Sequence, residues 1–139
     1  MPIVLACHKG IGPAVTGTAL VAQDNFSARY DLDRIKGIFS RPAHKLHGKS
    51  YVGQVLVLVT AKGGVASAWM LREMAARGMA PKAIVFDRSN TILAQGAAFA
   101  DLTLVDRFEA GDPTTLIRTG DEVMIEPQKG LVTILNRDA

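Results

Sequence analysis

Cysteine is nearly missing from this chain. Cys7 stands alone, so one chain can form neither an internal disulfide nor a metal site built from cysteines. Aromatic residues are scarce at 6%, and no basic run interleaved with aromatics occurs. That excludes a nucleic-acid platform of the stacking type. Charge of one sign is also scarce: Lys+Arg is 16 against Asp+Glu 13, a scattered excess of +3. Such an excess helps attract a small anion but does not mark a polyanionic partner. No apolar run reaches bilayer-spanning length. The opening MPIVLACHKG lacks the charged start and long apolar core of a signal peptide. The expectation is a cytoplasmic protein with neither nucleic acid nor membrane as partner. With 139 residues, 48% of them apolar, the chain has material for a real core. Internal repeats, low-complexity tracts and linkers are missing too, so a single domain over residues 1–139 is expected.

What is present centres on residues 52–78. Val55 to Val59 form an unbroken aliphatic run whose length suits a strand buried on both faces. Lys62-Gly63-Gly64 follows, where the backbone must turn sharply or approach a ligand. A helix then opens, with Ala68, Leu71, Met74 and Ala75 on one face and Arg72, Glu73 and Arg77 on another. Glu73 and Arg77 make a favourable i,i+4 pair, and Gly78 is the expected stop. A helix N-terminus behind glycines carries unpaired N–H groups and partial positive charge, which suit a carboxylate or phosphate. The spacing matches neither the nucleotide-binding G-x-x-x-x-G-K-[ST] loop nor a dinucleotide G-x-G-x-x-G turn. Anion binding and plain structural packing both remain open on this stretch.

Around this unit, residues 2–7 read as a first strand and Thr18 to Ala22 as a second. Asp24 to Arg41 is polar and irregular, a long loop in which Phe26 and Tyr30 either pack or serve a function. His44 and His47, in a turn-rich link, read as solvated loop histidines rather than metal ligands. His8 reads as structural or exposed, and Cys7 as a small apolar group. Ala83 to Phe86 is a short buried strand joined to the central unit by a parallel crossover. Ser89 or Asn90 can cap a helix over 91–100, and Leu102 to Val105 is a further strand. Asp112-Pro113 opens a short helix ending near Gly120. Asp121 to Ile134 reads as a C-terminal β-hairpin turning at Gln128-Lys129-Gly130. The fold class is α/β, in layers of β, β and α.

The order of short motifs carries a resemblance. Gly17-Thr18-Ala19-Leu20-Val21, Ser27 and Asp33, Gly37-Ile38, and Gly48-Lys49-Ser50 come first. Gly53-Gln54-Val55-Leu56-Val57 with Lys62-Gly63, Ala80-Pro81-Lys82-Ala83-Ile84, Gly96-Ala97-Ala98 and Gly120-Asp121-Glu122-Val123 follow. In this sequence and spacing the chain resembles the small subunit of the aconitase X family, the swivelling domain, almost end to end. The resemblance implies a swivelling β/β/α fold. It implies a hydro-lyase subunit that dehydrates a hydroxylated carboxylate at a site shared with a large subunit carrying iron or an iron–sulfur cluster, and inactive without it. Phosphomevalonate and cis-3-hydroxy-L-proline dehydration are activities within the family. No cofactor or metal is expected in this chain itself.

Two stretches depart from the family pattern. The turn usually has a glycine followed by two serines or by serine and threonine, with Gly-Ser beyond; here it reads Lys62-Gly63-Gly64-Val65-Ala66-Ser67. Ser67 matches the later serine, and the first has no counterpart. In the long loop, Ala28-Arg29-Tyr30-Asp31 replaces an aromatic and paired glycines. Dehydration beside a carboxylate needs a base for a carbon-bound proton, a positive group for the developing enolate, and a Lewis acid for the leaving hydroxide. The candidates here are Ser67 as catalytic base or substrate contact, and Lys62, Gly63, Gly64, Ser27 and Arg29 as substrate-binding residues. The alternatives are that Ser67 only bonds backbone near the helix start, and that the chain is a non-catalytic binding or regulatory module keeping the fold.

Overall fold

A computed structural model of the chain describes residues 2–27, 31–61 and 65–136. The central strand, β5 (Val55–Thr60), is buried on both sides. Its alternating side chains divide the molecule. Val55 and Val57 enter one core and Leu56 and Leu58 the other, as a period of two requires.

The strands preceding β5 are β1 (Ile3–Ala6), β2 (Val15–Val21), and the two-residue β3 (Leu32–Asp33) and β4 (Ile38–Phe39). After β5 come α1 (Val65–Ala76), β6 (Ala83–Arg88), α2 (Thr91–Phe99), β7 (Thr103–Val105), α3 (Pro113–Leu116), β8 (Glu122–Glu126) and β9 (Leu131–Asn136). Seven of them form one sheet in the order β1-β9-β8-β2-β5-β6-β7. β2 joins its two regimes: Val15–Thr18 pair antiparallel with β8, and Ala19–Val21 pair parallel with β5. The sheet folds over itself, so that Val123, Ile125, Val132 and Ile134 share a core with Val55, Val57, Ala83 and Val85. On the other face Leu56, Leu58, Ile84 and Phe86 pack against Leu71 and Met74 of α1 and Leu93 and Ala97 of α2. The outcome is the β/β/α layering expected from the sequence, hairpin included.

Helix ends follow their chemistry. Gly78 takes φ +70 beyond α1, with Met79 N–H on Met74 O at 2.9 Å and Gly78 N–H on Ala75 O at 3.2 Å, a Schellman stop. Leu71 and Met74 are buried while Arg72, Glu73 and Arg77 are exposed, and Arg77 lies 3.0 Å from Glu73. The side chain of Ala68 lies outside the described residues. Asn90 caps α2 by accepting from Leu93 N–H at 2.7 Å, and Asp112 caps α3 through Thr114 N–H at 2.9 Å. Among the described residues no helix is long and apolar enough to cross a membrane.

Four expectations need correction. α3 stops at Leu116, not near Gly120, because Ile117 leaves the helix with extended backbone. β2 starts at Val15, not Thr18, because its first half is set by pairing with β8. The stretch from Asp24 to Arg41 is no irregular loop throughout: β3 and β4 form a small hairpin whose turn is held by the Asp33 carboxylate accepting from Ile35 and Lys36 N–H at 3.0 Å each. His44 is not a solvated histidine. Its imidazole is fully buried and stacks on Phe39 with centroids 4.6 Å apart; His47 and His8 are exposed.

Candidate functional site

Four parallel strands, β2, β5, β6 and β7, end on the same edge of the sheet. In open α/β sheets ligands bind in the crevice beyond such carboxyl ends. The chain leaving β2 continues alongside β5 to that edge. Ala22 N–H donates to Val57 O at 3.0 Å, Val59 N–H to Asp24 O at 2.9 Å, and Phe26 N–H to Thr60 O at 2.9 Å. Thr60 Oγ1 also donates to Asn25 Oδ1 at 3.1 Å. Phe26 and Ala61 are parallel bridge partners. Ser27 therefore follows one partner directly and the Lys62-Gly63-Gly64 turn follows the other.

Of the residues singled out from the sequence, Ser27 is buried at this edge. Ser67 falls in the first turn of α1, which carries no acidic residue there to offset its partial positive charge. Lys62, Gly63, Gly64 and Arg29 lie outside the described residues, as do Tyr30 and the side chain of Ser67. The backbone thus brings Phe26, next to Ser27, beside Ala61, the residue that leads into 62–64.

Beneath the segment lies a polar cluster that sequence reasoning missed. His44 Nδ1 accepts from Leu46 N–H at 3.0 Å, so the ring proton sits on Nε2, which donates to Asn25 O at 2.8 Å. Asp31, also buried, accepts from Ser27 N–H at 2.8 Å and from Arg41 Nε. Asp24 accepts from Asn25 N–H at 2.8 Å and Lys45 N–H at 3.1 Å. Desolvation pushes the Asp24 carboxyl up, but those donors, with His44 and Arg41 nearby, outweigh it and hold it below the usual carboxylate range.

On the other side of Thr60 opens a cleft of about 620 Å³, walled by His8, Arg88 and Arg107 and by the carboxylates of Asp87 and Glu109. A smaller one of about 250 Å³ adjoins Arg107 and the start of α2 at Asn90. Cys7 borders the larger cleft. Burial, and secondarily Asp106, pushes its thiol up to about 11, so it is a poor nucleophile near neutrality. Among the described residues no group of three His, Cys, Asp or Glu could hold a metal ion. Arg88 was findable in the sequence, since it lies two residues beyond the predicted parallel strand Ala83 to Phe86, which the structure extends to Arg88 on the ligand-bearing edge. Asn25, Asp31, Arg41 and His44 carry no local signal, because what makes them matter is contact across the loop.

Two sheet layers and a helix layer, with the carboxyl ends of the parallel strands on one edge, define a domain of the swivelling type. The chain belongs to the aconitase X swivel-domain family, whose sequence pattern matches residues 4–134. It is 31% identical over 132 residues to the phosphomevalonate dehydratase small subunit of Methanothrix thermoacetophila, covering 94% of this chain and 93% of that one. It is also 31% identical to the phosphomevalonate dehydratase small subunit of Archaeoglobus fulgidus, over 94% of this chain and 97% of the relative. The crystal structure of Thermococcus kodakaraensis aconitase X in its holo-form superposes with a TM-score of 0.88 at 27% identity, covering 96% of this chain and 99% of that one.

Proposed function

We propose that this chain is the small subunit of an aconitase X-type hydro-lyase, building one wall of a site that a large subunit completes. The observation that carries the reading is the near full-length match, in both directions, to small subunits of phosphomevalonate dehydratases. The substrate is a hydroxylated carboxylate, with phosphomevalonate the first compound to test.

Among the described residues no group of three His, Cys, Asp or Glu could hold an iron centre. An iron or iron–sulfur centre in the large subunit would supply the Lewis acid. This chain supplies the anion-holding wall. The N–H groups opening α1, with Lys62 beside them, hold the substrate carboxylate and stabilise charge developing toward the enolate. Ser67, in the first turn, takes the carbon-bound proton or grips substrate. Ser27 and Arg29 are the further substrate-binding candidates, and a guanidinium can hold a carboxylate through two hydrogen bonds. Both stretches face the large subunit.

Variants of the assembled complex test this. Losing one charge-assisted contact costs roughly 1.5–3 kcal/mol, so Lys62→Ala should lower kcat/KM by about one to two decades. Ser67→Ala should collapse kcat with KM little changed if Ser67 is the base, and cost modestly if it is a contact. Parental kinetics in both variants, with the complex intact, would move the site away from this turn.

A further inference from the structure

We propose that the larger cleft is an anion subsite in which Arg88 and Arg107 hold the phosphate group of a phosphorylated hydroxy acid. That substrate class rests on the function proposed above; the subsite itself rests on the cleft. Thr60 and Arg88, both in its lining, are register partners at the carboxyl ends of β5 and β6. The chain leaving β7 supplies the rest of the wall and is tied on two sides. Arg107 N–H donates to Asp87 O at 3.0 Å and Glu109 N–H to Ala6 O at 3.0 Å. His8 N–H is shared between Asp106 O and Arg107 O at 3.2 Å each. Cys7 and Phe108 are antiparallel bridge partners. The ends of β1 and β6 therefore hold this wall in place without a ligand.

Arg107 has left-handed backbone, at φ +60, which among the described non-glycine residues only Asp101 shares. Glycine adopts that conformation freely, whereas a residue with a Cβ is strained in it. Arg107 is exposed, so core packing does not account for an arginine there; its place in the lining of both adjoining clefts does. The Asp106 carboxylate accepts from Ser89 N–H at 2.9 Å and lies 3.6 Å from Arg107 Nε. That orients the guanidinium through one nitrogen and leaves its outer N–H groups for a ligand. Arg88, also exposed, makes no ion pair among the described residues. A carboxylate carries one charge, but a phosphate monoester carries about −1.5 to −2 at pH 7 on three acceptor oxygens and can hold two guanidiniums. Asp87, Glu109 and His8 line the same cleft. The two carboxylates oppose a bare anion, yet they can accept from the hydroxyl of a hydroxy acid, so the mixed wall fits a ligand with both groups.

The test has two arms. In the first, inorganic phosphate is titrated into this chain and backbone amide shifts are followed. Thr60, Arg88 and Arg107 should shift saturably, and Arg88→Gln or Arg107→Gln should weaken binding about ten-fold. In the second, phosphomevalonate is turned over by this chain assembled with its large subunit. Each arginine variant should raise KM about ten-fold with kcat within about two-fold of the parent. Glu109→Gln should lower KM. Arg77→Gln, which removes equal charge just beyond the far end of α1, should leave it parental. Arg107→Gly separates binding from folding: it deletes the guanidinium and relaxes the backbone, so KM should rise while Tm holds or rises. If phosphomevalonate is turned over and both arginine variants keep the parental KM, the subsite is overturned and the proposed function stands. If the complex leaves phosphomevalonate untouched but the chain binds phosphate and both variants lose it, the proposed function fails and the subsite stands. With neither turnover nor saturable phosphate binding, both are overturned. A KM raised as far by Glu109→Gln as by Arg88→Gln, or raised by Arg107→Gly only with a fall in Tm, also overturns the subsite.

Discussion

Asp24 shows how single side chains tie this loop to pH. Its folded carboxyl is held below the ordinary value. A group whose folded pKa is depressed adds stability that is present above the unfolded value, about 3.9 for aspartate, and is lost as pH falls through the folded value. Asp33, half-buried, is shifted the same way, chiefly by Lys36 N–H. The expected outcome is that Asp24→Asn is less stable than the parent at neutral pH, and that the gap closes as pH drops through the acidic carboxylate range. Thermal unfolding of both proteins as a function of pH reads it. A gap that stays constant down to the lowest pH would show that Asp24 contributes by shape and not by charge.

At the scale of elements, the connection from β1 to β2 is fixed by contact with β7. Ile11 N–H donates to Leu104 O at 2.9 Å and Leu104 N–H returns to Ile11 O at 3.0 Å. A Cβ on Gly10 would stand 2.1 Å from Leu104 O and 2.7 Å from a Val105 methyl. Backbone there cannot step aside, so Gly10→Ala should cost about 1–3 kcal/mol, in the range of core overpacking. Asn90→Ala should cost about 1 kcal/mol through the lost cap on α2. Denaturant titrations check both, and a neutral Gly10→Ala would show that the connection is looser than drawn. These elements differ in how legible they were. β5 announced itself because a strand buried on both faces leaves an unbroken apolar run. α2 did so through its cap and small residues, and β8–β9 through a turn between apolar stretches. The first half of β2 did not, since Val15 to Thr18 mix exposed and half-buried positions around Gly17 and become strand only by pairing with β8. The β3–β4 hairpin is too short for periodicity to show. The burial of His44 depends on Phe39 and Asn25, partners no local pattern reveals. The turn and Ser27 were legible as site candidates from the sequence; the polar cluster of Asn25, Asp31, Arg41 and His44 was not.

At the scale of the whole molecule, the reading proposed above makes this chain one half of a catalyst. The carboxyl ends of its parallel strands bring Phe26 and Ala61 together on one edge. On that reading a large subunit faces this edge and brings the Lewis acid. The most direct measurement is dehydration of phosphomevalonate by each purified chain alone and by the two co-expressed and purified together, with iron quantified in all three samples. The account predicts a stable complex containing iron and turning over substrate, an iron-free and inactive small chain, and a lowered kcat/KM when Ser67→Ala or Lys62→Ala enters the complex. Stoichiometric iron in the lone small chain would contradict it, as would a complex whose turnover is the same with and without this chain.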